Sequence, residues 1–412
     1  MKVRIIPPVR TCSAKLKLAS SKSISNRILI MHALANSSSS IINLSNSSDT
    51  FILQENLRIN TNRVIDCQDA GTVFRFLTAY YSVHEGEYIL KGTERMNQRP
   101  IGPLVEALRS MGAAIEYIQT EGFPPIRIKG GSLSCKEVSV DASVSSQFVS
   151  ALMMIGPMFP EGLIINLKSD QASASYVQMT SALMQRNGAT VKIEGSKIFI
   201  NKGSYKMKNL TVEQDWSSAS FVYELVALSP GSELIIKGLS EDSIQGDAVL
   251  KNWMKSFGVS TGFTDHHASI RSSSLVELTE TLRFDCKSNP DLVPALVCTA
   301  AGMKLKIELS GVRNLRIKES DRIQALKTEL MKFSVKVEYN EDEDVLFVDG
   351  KGLKPPVSEL DSWNDHRIAM ALAPLSIVCG SISINNPLVT AKSYPEFWSD
   401  MESCGFNLEF KN

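Results

Sequence analysis

Residues 182–195, Ala-Leu-Met-Gln-Arg-Asn-Gly-Ala-Thr-Val-Lys-Ile-Glu-Gly, run from the end of an amphipathic helix through Gly188 into a short alternating strand. Four other stretches follow the same course: ALRSMGAAIEYI (107–118), LKNWMKSFGVSTGF (250–263), LKTELMKFSVKVEY (326–339) and DMESCGFNLEF (400–410). Their turns fall at Gly112, Gly188, Gly258, Ser334 and Gly405, at intervals of 76, 70, 76 and 71 residues. So regular a spacing is internal duplication. The period is too long for a solenoid and suits a small αβ subdomain of two helices and several strands, of which six copies fill the 412 residues. Counting back one period from Gly112 meets no matching turn, so the first copy reads as shortened. VEQDWSSASFVYEL (212–225), at half the length, reads as the crossing between two domains of three copies each.

Composition narrows the function. Hydrophobic residues make up 43% of the chain, and Lys+Arg and Asp+Glu both number 44, so no global field favours nucleic acid or an anionic membrane. An anion site has to come from local clustering. The opening MKVRIIPPVR lacks the apolar core of a signal peptide, and the longest apolar stretches, near 148–159 and 292–303, are too short to span a bilayer. A cytoplasmic, non-membrane protein is expected. Seven cysteines without a CxxC pair and five histidines without ligand spacing argue against a disulfide framework and a metal site.

Cations cluster where helices begin. Residues 20–27, Ser-Ser-Lys-Ser-Ile-Ser-Asn-Arg, put hydroxyls, Lys22 and Arg27 just before an apolar run, where free backbone N–H groups can hold an anion. A well-capped helix with two solvated cations would read the same. In Asn314-Leu-Arg-Ile-Lys318-Glu319-Ser-Asp321-Arg322, i, i+4 spacing puts Lys318 and Arg322 on one helix face beside Glu319, as either a surface salt-bridge ladder or a carboxylate held close to bound anions for proton transfer. Asp69-Ala-Gly71-Thr72 with Arg75, Gln98-Arg99-Pro100, Ser145-Ser146-Gln147, Asp365-His366-Arg367 and Lys392-Ser-Tyr394 each place a cation, glycine or hydroxyl at the start of an element. Any one of them could be plain capping. Their recurrence in both halves favours a shared site for substrates bearing phosphate and carboxylate. No Walker, Rossmann, HExxH or nucleophile-elbow motif supports a nucleotide cofactor or metal.

In the same order along residues 20 to 400, SKSISNR, DAGTVFR, QRPIGPLVEAL, SSQFVSALMM, SASYVQMT, DWSSASF, SIQGD, NLRIKESDR, NDHRIAMA and KSYPEFW resemble the signatures of the 3-phosphoshikimate 1-carboxyvinyltransferases, or 5-enolpyruvylshikimate-3-phosphate synthases. The resemblance implies an α/β fold of two domains, each of three βαβαββ units (an inside-out α/β barrel), with the active site in the cleft between them. Domain I would comprise residues 1–20 and 216–412, and domain II residues 21–215. The implied reaction moves the enolpyruvyl group of phosphoenolpyruvate to the 5-hydroxyl of 3-phosphoshikimate in the shikimate pathway to chorismate and aromatic amino acids. No cofactor is implied, a monomer is expected, and glyphosate is the family's inhibitor. Carried over, Ser23 and Arg27 bind the shikimate carboxylate, Ser145, Ser146 and Ser173 its phosphate, with Gln147, Asn314 and Lys318 completing the pocket. Lys22 reaches both substrates, and Asp291 in NPDLVPAL is the base for the attacking hydroxyl. Phosphoenolpyruvate lies against Gly71, Arg99, Gln147, Arg322, Arg367 and Lys392, with Glu319 as proton donor to its methylene carbon.

Three departures from the family pattern stand out. Asp69 takes the place of an asparagine, Phe76 that of a proline, and only 22 positions separate Asp49 from Gly71, so the first repeat has lost a strand and a connection. Two other readings remain open: the sibling enzyme acting on UDP-N-acetylglucosamine, which carries a cysteine where KGTERMNQ (91–98) has none, and a non-catalytic anion-binding homologue.

Overall fold

The five turn residues of the repeat all take left-handed backbone: φ is 97° at Gly112, 87° at Gly188, 73° at Gly258, 62° at Ser334 and 94° at Gly405. A helix ending this way satisfies its last carbonyls and turns the chain into the next strand. The computed structural model describes residues 1–58, 64–143, 145–169, 173–264, 267–272 and 281–411.

Among the described residues five sheets have four strands, and all five are built alike. In one, Val64–Asp66 runs parallel to Gly86–Lys91, which pairs antiparallel with Ile126–Gly130, which in turn pairs antiparallel with Ala114–Tyr117. A helix follows each of the parallel strands, Gly71–Ser82 after the first and Gly102–Ser110 after the second, so the unit is βαβαββ. The sixth sheet is the parallel pair alone, Ile41–Ile42 beside Leu210–Thr211. Its outer helix, Ser48–Arg58, is followed by residues 59–63, which lie outside the described residues, and then by Val64–Asp66, the first strand of the next sheet. Among the described residues the first copy has this strand pair where the other five have four strands, and the segment on which the expected loss of a strand and a connection turns lies outside them. On this copy Phe51 is 62% exposed and Ile42 54%, and a cavity of about 550 Å³ is lined by Leu29, His32, Gln54 and Tyr80.

The chain forms two units, Met1–Ser20 with Glu213–Asn412, and Ser21–Val212. The second crossing falls three residues before the 215/216 boundary read from the sequence. There the Asp215 N–H donates to Ala19 O at 2.9 Å and Gln214 bridges to Ser20, which ties 213–215 to the N-terminal segment. In the first unit that segment completes two sheets: Lys2–Ile6 joins Asn407–Lys411 and Ile382–Asn385, and Ser13–Leu16 joins Glu233–Lys237. In the second unit the last strand, Leu210–Thr211, closes on the first.

Each copy contributes one helix to the interior of its unit. In the first unit these are Trp216–Leu228, Val293–Gly302 and His366–Leu372, every residue of which is buried. Apolar and small residues on all sides, as in VPALVCTAAG, suit them to a position enclosed by other elements. In the second unit the inner helices are Lys22–Leu34, Gly71–Ser82 and Ser146–Ile155. Because the copies repeat one topology, the three inner helices of a unit start at equivalent places, and their N-termini gather.

Candidate active site

In the second unit no inner helix carries an acid in its first turn. Ser21 caps the first, its Oγ accepting from Ile24 N at 3.4 Å, and Ser145 caps the third, accepting from Gln147 N at 3.2 Å. Ala70, before the second, offers no side-chain cap. The positive ends of three helices thus meet hydroxyls and cations rather than carboxylates. Gln147 ties two of them together: its Oε1 accepts from Arg75 Nη1 at 2.7 Å, and its Nε2 donates to Thr72 Oγ1 at 2.9 Å.

Gly71 is glycine because two guanidinium groups close over it. A Cβ there would stand 2.7 Å from Arg75 Nη1 and from Cζ and Nη1 of Arg99. Arg99 also reaches Asp69 O at 3.5 Å, and Arg75 Nη2 donates to Pro100 O at 3.1 Å. Arg75, four residues into the helix, received no role from the sequence; its place one turn beyond a glycine that needs a close approach was the available signal. The Asp69 side chain accepts from Thr93 Oγ1, the cap of Glu94–Asn97.

Arg27 is the most unusual cation. Its side chain is buried, donating from Nε to Thr180 Oγ1 at 2.7 Å, from Nη1 to Ser23 O at 2.9 Å and from Nη2 to Ser150 Oγ at 3.2 Å. The rings of Phe76 and Tyr176 lie 5.3 and 5.7 Å from its Cζ. The family-atypical Phe76 therefore packs on Arg27. Among the described residues no carboxylate pairs with Arg27, and burial lowers its pKa to about 10, with Tyr176 acting the other way. Lys22, by contrast, meets Asp49 at 3.1 Å. Ser146 and Ser173 are buried, Ser173 in left-handed backbone with φ 56° immediately before the helix Ala174–Arg186.

The first unit is charged the other way. Asp215 and Asp365 cap two of its inner helices, and Asp291 sits on the turn leading into the third. Arg322, 1% exposed, donates from Nε to Asp365 Oδ2 at 2.8 Å, from Nη1 to Asp291 Oδ1 at 2.9 Å and from Nη2 to Glu319 Oε2 at 2.9 Å. Burial works against its charge, but Asp365, Glu319 and Asp291 outweigh burial and raise its pKa. Arg367 Nη2 meets the other oxygen of Asp291 at 3.1 Å.

One expectation changes here. Lys318 and Arg322 do not share a helix face: Asp321 caps Gln324 N at 3.0 Å, so the helix starts at Arg322, while Lys318 ends the preceding 3-10 turn Arg313–Ile317 that carries Asn314. Arg322, which the resemblance sets against phosphoenolpyruvate, is surrounded by three carboxylates. Lys392 closes the 3-10 turn Pro387–Lys392. Asp365, read only as a cap, proves to be an ion-pair partner as well, and Asp247, in the SIQGD signature, is a buried carboxyl that received no role from the sequence.

Proteins similar to this chain define its class. The family model for EPSP synthase (3-phosphoshikimate 1-carboxyvinyltransferase) matches residues 51–401. A 3-phosphoshikimate 1-carboxyvinyltransferase of Bacteroides fragilis is 40% identical over 398 residues, covering 96% of both chains. One from a Sulfurovum species is 32% identical, covering 97% of this chain and 98% of its own. The solved EPSP synthase of Acinetobacter baumannii has the same fold, with a TM-score of 0.78 at 21% identity over 99% of this chain and 100% of that one. This chain belongs to the EPSP synthase family.

Proposed function

We propose that the protein transfers the enolpyruvyl group of phosphoenolpyruvate to the 5-hydroxyl of 3-phosphoshikimate, releasing phosphate. The observation that carries this reading is Arg27, a buried cation with no carboxylate partner among the described residues, set among serine-capped helix starts. A charge in that position favours an anionic ligand. Arg27 and Ser23 take the shikimate carboxylate, and Ser145, Ser146, Gln147 and Ser173 its phosphate, with Asn314 and Lys318 on the acceptor. Gly71, Arg99, Gln147, Arg367 and Lys392 take phosphoenolpyruvate, and Lys22 serves both substrates. Arg322 adds positive field to that subsite while holding Asp291 and Glu319 on the two arms of one guanidinium.

The chemistry follows from that pairing. Asp291 accepts the proton of the attacking hydroxyl as its oxygen bonds to C2 of phosphoenolpyruvate, and Glu319 donates a proton to the methylene carbon. Positive charge developing at C2 is stabilised by the nearby carboxylates. The tetrahedral adduct then loses phosphate while its methyl group returns a proton to the Glu319 carboxylate, restoring the double bond. We read the working protein as a cytoplasmic monomer; its duplicated units supply both charge sets within one chain, and among the described residues no helix is long and apolar enough to cross a membrane.

Mixing the protein with 3-phosphoshikimate and phosphoenolpyruvate and following phosphate tests the reading. Steady release requiring both substrates is expected. Release with UDP-N-acetylglucosamine in place of 3-phosphoshikimate, or no release with either, would overturn it.

A further inference from the structure

Asp247 is a buried carboxyl in the first unit that the reaction as written does not use. Its Oδ2 accepts from Ser217 Oγ at 2.5 Å and its Oδ1 from Asn289 Nδ2 at 3.0 Å. Ser217 lies in the first turn of the inner helix Trp216–Leu228, and Asn289 lies two residues before Asp291 on the turn into Val293–Gly302. Asp247 thus joins the starts of two inner helices from consecutive copies. We propose that Asp247 is a positioning residue for Asp291, anchoring its turn through Asn289 and placing a second negative charge beside its carboxylate when ionised.

The geometry gives that charge a specific effect. Arg367 holds Asp291 at Oδ2 and also, from Nη1, at its main-chain oxygen at 3.4 Å, while Arg322 holds Oδ1. A carboxylate gripped by two cations is a weak base, because both stabilise the form without the proton. A neighbouring anion opposes them and favours proton uptake from the acceptor hydroxyl. Asp247 supplies that anion only once it has lost its own proton. Burial first, and then the charge of Asp291, raise its pKa to about 6, against the hydrogen bonds from Asn289 and Ser217 and the attraction of Arg367. Cys286 also feels it among the described residues; its thiol is pushed up by its own burial and stays uncharged near neutral pH. Asp247 is therefore ionised at neutral pH and loses its charge as the medium turns mildly acid.

This inference rests on the role given to Asp291, and one set of pH profiles separates the two. Phosphate release is followed between about pH 5 and 8 for the wild type, Asp247→Asn and Ser217→Ala. Wild-type turnover should fall as pH drops through about 6. Asp247→Asn keeps the shape and removes the charge; it should lower turnover near pH 7.5 by about tenfold, the equivalent of one pKa unit at the base, and lose the limb near pH 6. The KM of both substrates should stay within about twofold, since Asp247 is assigned to neither substrate pocket. Ser217→Ala leaves the carboxylate in place but deprives it of a donor, so its limb should move to higher pH. An active wild type whose limb is unmoved in both variants, or an Asp247→Asn loss spread equally over KM and turnover with the limb intact, would overturn the inference and leave the enzyme reading standing. A wild type that releases no phosphate at any pH would remove both.

Discussion

Glu224→Met should stabilise the first unit, and by an amount that grows with pH. Glu224 lies midway along the inner helix Trp216–Leu228, fully buried, and neither carboxylate oxygen has a hydrogen-bond partner among the described residues. Burial holds its pKa well above the usual carboxylate value, so it stays protonated in the folded protein where the unfolded chain would ionise. A folded-state pKa raised in this way leaves stability intact below the unfolded value, about 4.3, and erodes it as pH rises toward the folded value. The loss is about 1.4 kcal/mol per pH unit while the folded group keeps its proton. From about pH 4.5 to 6 that amounts to about 2 kcal/mol, or about 4–8 °C in melting temperature for a unit of this size. Methionine carries no titrating group and no orphan oxygens, and loss of the latter adds about 1–3 kcal/mol at every pH. Calorimetric melting of both proteins at about pH 4.5, 5.3 and 6 reads the difference directly, because contributions from all other carboxyls are common to the pair. A melting difference that stays flat with pH, or a variant less stable at pH 6, would refute the placement of an uncompensated carboxyl in this core.

Three further outcomes bear on the site. Glu319→Gln should keep substrate binding and lower turnover by at least about a hundredfold, the usual contribution of a general acid; turnover within threefold of wild type would remove Glu319 from the mechanism. Arg27→Met should weaken 3-phosphoshikimate by about tenfold to a hundredfold with little effect on phosphoenolpyruvate, because a hydrogen bond to a charged group is worth about 1.5–3 kcal/mol; equal weakening of both ligands in calorimetric titration would contradict the assigned pocket. Gly71→Ala should raise the KM of phosphoenolpyruvate and reduce glyphosate inhibition more than it reduces turnover, since its methyl group displaces the mobile ends of Arg75 and Arg99 rather than backbone; unchanged kinetics and inhibition would show that those guanidinium groups do not bind the ligand.

The duplicated architecture could be read from one dimension because it is written in local signals. A helix that stops at Gly188 or Gly405 and runs into an alternating strand needs only neighbouring residues to specify it, and five recurrences near a constant interval report a copied unit. Even Ser334, which lacks the freedom of glycine, keeps its place in the series with φ 62°. The helix starts with their hydroxyls and cations were legible for the same reason, since caps act within one turn. The pairing within the first copy was not, because its described sheet is one strand pair, Ile41–Ile42 and Leu210–Thr211, contributed from opposite ends of its unit.

Pairing between distant charges belongs to tertiary structure alone. Lys22, Arg27 and Arg322 look equivalent in the sequence, each a cation at the start of a helix. Folding separates them: Lys22 meets Asp49, Arg322 sinks among Asp291, Glu319 and Asp365, and Arg27 is buried without a carboxylate among the described residues. Likewise Asp247 is one acid in a loop until the repeat topology sets it against Ser217 and Asn289. The sequence determines which helices form and what stands at their ends, because those choices are settled within a few residues. Which charge is neutralised and which is left for a ligand depends on groups tens to more than a hundred positions apart, and on how far each has been withdrawn from water.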